Sequence, residues 1–237
     1  MSTELLTRLA GDPGAAALFL DVDGVLAPIV ERPEDARVPD DVRAELRRLA
    51  TRYRLVACVT GRTSAQAAQI LGVPELRYVG EHGLELEPPP AQYADEIHRF
   101  ADGTGWPYVE RKPLSAVLHY RRSADHEAAR RQLEAIAAEA RTHGLRTRFG
   151  RLVLELLPPT AVTKGTGVRR LLAESGVDRA LYAGDDTTDL DGFAALDGLD
   201  LAIRVAVASP ESPPALRERA DIVVDSPAAF ALLLREL

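Results

Sequence analysis

Two aspartates one residue apart interrupt an apolar stretch, LFLDVDGVLAPI, that runs from Leu18 to Ile29. Charged groups seldom sit against a core unless something pairs with them, so Asp21 and Asp23 need a counter-charge from elsewhere in the chain. A second acidic motif, GDDTTD, supplies Asp185, Asp186 and Asp189. So many carboxylates in a small space repel one another unless a cation is present. All are hard oxygen donors, with no thiolate and no HExxH-like pair nearby, so Mg2+ is the fitting ion and zinc a poor one. Residues two apart on an extended chain point the same way, so one carboxylate of the DVD pair can attack while its neighbour moves protons. Lys164, in TKG, and the backbone N–H groups of the VTGR turn at Thr60, Gly61 and Arg62 can neutralise the oxygens of a transferring phosphoryl group.

These residues can meet only if one rim of a fold carries them all. Short apolar runs ending in polar or glycine-rich turns recur along the chain: ALFLDVDG, RLVACVTGR, LRYVGEHG, ALYAGDD, LAIRVA and DIVVDS. Helical patterns lie between many of them. After Pro39, the residues Val42, Leu46, Leu49 and Tyr53 keep helical spacing, with proline in the first turn. Another helix runs from about Gly165 through Val168, Leu171 and Leu172 and stops near Gly176. Near-continuous apolar strands alternating with helices predict an α/β fold with a doubly wound parallel sheet covered on both faces. Ligands of such sheets bind beyond the carboxyl ends of the strands, where DVDG, VTGR, TKG and GDDTTD fall.

The middle of the chain follows another rule. Between Pro88–Pro90 and Pro158–Pro159 the pattern is strand, strand, helix, strand, strand, which predicts a smaller α/β cap at 86–158 inserted into a core made of 1–85 and 159–237. In PLSAVLHYRR the positions Leu114, Ala116, Leu118 and Tyr120 form an apolar face, and Ser115, His119 and Arg121 share the other with Val117. The covering helix is expected to be capped by Ser123 and to use Ala129, Leu133, Ile136, Ala137 and Ala140, ending before Gly144. In RLVLELL, Leu152, Leu154 and Leu156 point one way and Glu155 the other. A cap on two linkers is expected to open and close over the core, excluding water during transfer.

Composition narrows the partners. The formal net charge of −7 argues against a nucleic-acid footprint, because no lysine/arginine-dominated face offsets the general acidity. The lone cysteine, Cys58, lies in the apolar run LVACV, so no disulfide framework exists and a reducing compartment is expected. The N-terminal residues lack the pattern of a secretory signal, and no apolar run approaches the roughly 20 residues of a membrane span. The expectation is a cytoplasmic monomer acting on a small polar molecule.

Taken in order, DVDGV, Thr60, Lys164 and GDDTTD resemble the four motifs of haloacid-dehalogenase-like (HAD) phosphatases. That resemblance implies Asp21 as the nucleophile that forms an aspartyl-phosphate, and Asp23 as the group that protonates the leaving alcohol and then activates water. It also implies a metal held by the Asp21 carboxylate, the Asp23 main-chain carbonyl and Asp185, with Asp186 and Asp189 ligating it or supporting its ligands. Within the superfamily the chain is similar to the trehalose-6-phosphate phosphatases over nearly its whole length: LFLDVDGVLAPI, VTGR, VGEHGLE, VERKPLSAVLHYR, LVLELLPP followed by TKG, and GDDTTDLDGF. This likeness implies a sugar phosphate as substrate, sugar recognition by Glu110, Lys112 and Glu155, and phosphate contacts from Arg121, Arg62 and Lys164. Carboxylates and amines suit a disaccharide, whose hydroxyls both donate and accept hydrogen bonds.

Val25, Leu190 and Leu157 depart from the family, which usually has Thr, Glu and often a basic residue at these places. The alternatives are therefore a related disaccharide or pseudo-disaccharide phosphate as substrate, or a sugar-phosphate-binding regulator without turnover. A signalling receiver domain also uses acidic residues, a Thr and a Lys on a doubly wound sheet, but the inserted middle and the DxD spacing disfavour it.

Overall fold

The apolar runs that precede the motifs become strands in the computed structural model, which describes residues 2–30, 32–210 and 212–237. In chain order they are β1 (Ala16–Leu20), β2 (Leu55–Val59), β3 (Arg77–Val79), β4 (Val109–Arg111), β5 (Ala116–His119), β6 (Arg146–Gly150), β7 (Val153–Leu157), β8 (Arg179–Gly184), β9 (Leu201–Val207) and β10 (Ile222–Val224). They divide between two units, one formed by Met1–Gly83 with Val162–Leu237 and the other by Leu84–Ala161.

In the first unit the strands lie in the order β10-β9-β8-β1-β2-β3, and every pairing is parallel. From β1 the chain moves outward to β2 and β3; from β8 it moves the opposite way to β9 and β10. The reversal falls between β1 and β8, so the loops leaving these neighbouring strands diverge and open a crevice at their carboxyl ends. Asp21 follows β1 directly and Asp185 follows β8. That topology alone brings together two carboxylates far apart in sequence.

The sheet is held by burial on its faces. Leu18, Leu20, Leu181 and Ile203 share one cluster with Leu46 and Leu49 of the helix Asp40–Arg52 and with Phe230 and Leu234 of the helix Pro227–Leu234. Each such side chain contributes about 1.5–3 kcal/mol when fully buried, which fixes the strands whose ends carry the motifs. Pro39 stands just outside the helix Asp40–Arg52, as its N-cap, and not in the first turn; Asp40 and Asp41 occupy that turn, where the helix dipole favours them. The helix Lys164–Ser175 ends at Gly176, whose φ of +68° closes it in the left-handed conformation.

The second unit is a four-stranded antiparallel sheet in the order β4-β5-β7-β6. Two helices, Gln92–Gly103 and His126–Thr142, contribute Ile97, Ala101, Leu133 and Ala137 to a cluster with Ala116, Leu118, Leu154 and Leu156 of the sheet. The first of these helices corrects the expected pattern, which began with a strand; its apolar contacts are spaced thinly among Asp95, Glu96 and Arg99. The cap of the second helix is Asp125, not Ser123. The Asp125 carboxylate accepts the Ala128 N–H at 2.9 Å, whereas the Ser123 N–H closes a turn onto the Tyr120 carbonyl. Leu152 lies in the turn before β7 at φ +56°, so only Leu154 and Leu156 carry the expected apolar parity within the strand. Among the described residues, no helix is long and apolar enough to cross a membrane.

Candidate active site

Asp21 continues the β1–β8 ladder by one step, donating its N–H to the Ala183 carbonyl at 3.0 Å. Its Oδ1 accepts the Val22 N–H at 2.7 Å, and its Oδ2 meets Lys164 Nζ at 2.8 Å. The chain then folds tightly, with the Leu26 and Ala27 N–H groups both donating to the Val22 carbonyl. Gly24 makes this possible twice over: its φ is +80°, and a Cβ there would run into the Asp185 carboxylate. One carboxylate oxygen each from Asp21, Asp185 and Asp189 lies within 4.8 Å of the others, and all three residues are buried.

Asp189 has a different role from its two companions. Its Oδ1 accepts from Lys164 Nζ and from the Tyr182 hydroxyl, each at 2.7 Å, and its Oδ2 accepts the N–H groups of Asp185 and Asp186, each at 3.0 Å. A carboxylate has about four lone-pair sites, and four donors occupy them. Asp189 therefore organises the loop and the lysine, which leaves Asp21 and Asp185 as the ligand candidates of the cluster. Asp186 contributes its N–H to this arrangement, while its own carboxylate accepts the Thr187 N–H at 2.6 Å and lies outside the buried group.

Burial pushes the Asp21 carboxyl up to about 7, and the Asp189 charge adds to the rise while Lys164 opposes it. Asp185 is pushed up to about 9, by burial first and then by the charges of Asp21 and Asp189. Burial alone would lower Lys164, but Asp189 and Asp21 more than offset it and hold its ammonium above the usual lysine range. Three carboxylates facing one ammonium carry a formal charge of −2 when all are ionised. Buried, hard oxygen donors in that electrostatic setting fit a divalent cation.

Thr60 and Gly61 follow β2. The Thr60 N–H donates to the Val79 carbonyl at 3.0 Å, its Oγ1 accepts the Arg62 N–H at 3.2 Å, and its carbonyl accepts the His82 N–H at 2.9 Å. The Arg62 carbonyl in turn accepts the Glu81 N–H at 2.8 Å. A Cβ on Gly61 would lie 2.7 Å from the His82 ring. The VTGR turn is thus braced by the segment Glu81–Gly83, in which Glu81 and His82 take the left-handed conformation at φ +45° and +57°. Such conformations cost about 1–3 kcal/mol each, and buried Glu81 and His82 hold theirs against the turn. The Arg62 guanidinium reaches the Asp23 carboxylate, also in this unit.

The other predicted site residues belong to the second unit. Across its sheet Glu110, Val117, Glu155 and Arg148 form one rung of register partners. His119 Nε2 lies 2.9 Å from Glu110 Oε2, and Arg148 Nε donates to Glu155 Oε2 at 2.6 Å. The Lys112 N–H donates to the Ser115 carbonyl at 2.9 Å, two rungs away, where Arg146 is the partner of Leu157. Arg121 lies beyond the end of β5 in a turn, with its carbonyl 3.0 Å from His126 Nε2, so strand parity does not extend to it. Sequence reasoning missed Tyr182, which reads as one more apolar strand residue, and gave no partner to Arg62.

A parallel sheet that switches direction where two acidic loops meet is the fold of haloacid dehalogenase-like hydrolases. One such hydrolase from Bacteroides thetaiotaomicron superposes with a TM-score of 0.68 at 14% identity, covering 93% of this chain and 98% of that one. The family model described as Trehalose-phosphatase matches residues 19–217, and the chain belongs to that family. The trehalose-phosphate phosphatase of Mycobacterium avium is 34% identical over 207 residues, 77% of this chain and 51% of the relative. An uncharacterized glycosyl hydrolase of Mycobacterium tuberculosis is 35% identical over 217 residues, 79% of this chain and 16% of that protein. The chain thus spans about half the length of the first relative and a smaller part of the second. Among solved structures, the C-terminal domain of Candida albicans trehalose-6-phosphate phosphatase superposes with a TM-score of 0.81 at 22% identity, covering 99% of this chain and 95% of that one.

Proposed function

We propose that the chain is a Mg2+-dependent phosphatase that hydrolyses trehalose 6-phosphate to trehalose and phosphate. The observation that carries this reading is the meeting of Asp21 with Lys164, 2.8 Å apart at the switch point of the sheet, in a member of the trehalose-phosphatase family. An Asp21 carboxylate oxygen attacks phosphorus, and the bond from phosphorus to the sugar oxygen breaks. Asp23 gives its proton to the departing sugar oxygen. In the second half, Asp23 takes a proton from water as that water attacks the aspartyl-phosphate, and phosphate leaves with Asp21 restored. Lys164, the Thr60 hydroxyl and the Gly61 N–H of the VTGR turn meet the charge on the phosphoryl oxygens. Bound Mg2+, held by Asp21, Asp185 and the Asp23 main-chain carbonyl, would neutralise charge on those oxygens. Glu110, Lys112, Arg121 and Glu155 are assigned to the sugar phosphate, which makes the second unit the specificity cap.

Phosphate release from trehalose 6-phosphate with Mg2+ tests the reading. Asp21→Asn is expected to abolish turnover while the protein stays folded; robust turnover by that variant would contradict the nucleophile assignment. A related disaccharide phosphate is the second reading. It is favoured by Leu157, an apolar side chain at a place where the family often has a basic one, in the rung it shares with Arg146. A panel of sugar phosphates separates the two.

A further inference from the structure

Tyr182 is fully buried on β8, yet its hydroxyl points at the charged cluster and donates to Asp189 Oδ1 at 2.7 Å. The same oxygen accepts Lys164 Nζ at 2.7 Å, and Lys164 reaches on to Asp21 Oδ2 at 2.8 Å. The ring cannot easily move. A Cβ on Gly192 would run into it, and Phe193 packs edge-on with centroids 5.9 Å apart. Both residues lie on the helix Asp189–Ala195, which Asp189 begins. The hydroxyl is therefore held at a fixed place by the helix whose first residue it serves.

We propose that Tyr182 is a positioning residue for phosphoryl transfer: its hydroxyl fixes the rotation of the Asp189 carboxylate and, through it, aims the Lys164 ammonium at Asp21. The inference rests on the phosphatase reading. The two backbone N–H groups on Oδ2 anchor one side of Asp189, and the hydroxyl shares the other side with the lysine. Without the hydroxyl, Oδ1 has a single partner, itself on a flexible four-carbon stem, and neither end of the Lys164–Asp189 pair is pinned. Burial and the Asp189 charge hold the Tyr182 phenol well above its ordinary range, so it stays a donor throughout the working pH range.

The test is Tyr182→Phe in the full chain, which keeps the ring and its packing. With Mg2+ and either trehalose 6-phosphate or p-nitrophenyl phosphate, kcat is expected to fall about 10- to 100-fold, with KM within about threefold of wild type and a melting temperature within a few degrees. In a Lys164→Met background the same change should have no further effect on kcat, whereas an independent structural defect would multiply with it. A separate readout needs no turnover. The chain has two lysines, Lys112 and Lys164, so mass spectrometry can follow acylation of each, and Tyr182→Phe is expected to speed labelling of Lys164 several-fold relative to Lys112. Unchanged kcat, a loss confined to KM, full additivity with Lys164→Met, or unchanged Lys164 labelling would each overturn the proposal. If Tyr182→Phe does not fold, a fluorotyrosine at 182 preserves the shape and strengthens the donor: a shift in kcat of more than about twofold at constant melting temperature supports the role, and no shift overturns it. Wild-type cleavage of p-nitrophenyl phosphate but not of trehalose 6-phosphate would sink the substrate reading and leave this test intact. If wild type cleaves neither, the phosphatase reading fails and the labelling result decides the positioning claim alone.

Discussion

Arg62 grips Asp23 with two parallel hydrogen bonds, Nε to Oδ2 and Nη2 to Oδ1, each 2.7 Å long. The arginine expected to touch phosphate thus also orients the proposed acid–base carboxylate, in the fork geometry that lysine cannot reproduce. Hydrogen bonds to charged groups are each worth about 1.5–3 kcal/mol. Arg62→Lys is therefore expected to lower kcat/KM roughly 10- to 100-fold, and Arg62→Ala by at least as much. Steady-state kinetics check this; a lysine variant with wild-type kcat/KM would show that the fork does not orient Asp23.

The metal-free protein should lose stability as pH rises. Asp21 and Asp185 have folded-state values of about 7 and about 9, above the 3.8 of a free aspartate. Between those limits the native state binds more protons than the unfolded chain, so their contribution is full below about pH 4 and is lost as pH climbs through 7 and 9. A divalent cation reverses the preference, because it binds the ionised carboxylates. The stabilisation by added Mg2+ should accordingly grow from pH 6 to pH 9, at about 2–4 °C of melting temperature per kcal/mol. Thermal melts with and without chelator measure it, and Asp185→Asn should flatten the metal-free slope. A metal-free melting temperature that rises over this range in wild type would contradict the assignment.

Gly24→Ala tests the packing of the first acidic loop against the second. The position combines φ +80° with a Cβ aimed at the Asp185 carboxylate. The left-handed backbone alone costs an alanine about 1–2 kcal/mol, and displacement of Asp185 should weaken Mg2+ binding as well. Calorimetry is expected to give at least about a tenfold loss of Mg2+ affinity; an unchanged affinity would mean that Asp185 does not ligate the ion.

What could be read from the sequence was whatever a local pattern determines. Five buried residues before Asp21 specify a central strand, and the paired runs before VTGR and GDDTTD specify its neighbours, so the rim and its acids follow. The helix Asp40–Arg52 was legible because Val42, Leu46 and Leu49 are all buried at helical spacing. What was hidden depends on partners distant in sequence. The four donors on Asp189 come from Lys164, Tyr182, Asp185 and Asp186, and no spacing rule links them; Tyr182 looks like strand filler because its ring is. Arg62 meets Asp23 across 39 residues. The helix Gln92–Gly103 escaped because its buried Ile97 and Ala101 are one large and one small side chain among charges.

Arg148 and Glu155 offer a test that separates the sugar from the phosphate. Arg148 is the register partner of Glu155 on β6, donates to its Oε2 at 2.6 Å through Nε, and meets the same oxygen through Nη2. With both side chains largely buried, Arg148→Met leaves a carboxylate desolvated without its guanidinium, at a cost of about 1–2 kcal/mol in stability once partial exposure is allowed for. If Glu155 reads sugar hydroxyls, a carboxylate that has lost its brace binds the sugar less well. KM for trehalose 6-phosphate should rise about tenfold, with kcat within about threefold. p-Nitrophenyl phosphate carries no sugar, so its kcat/KM should stay within about twofold of wild type. Equal losses on both substrates would instead tie Arg148 to the stability of the second unit, and Glu155 would lose its assignment to the sugar.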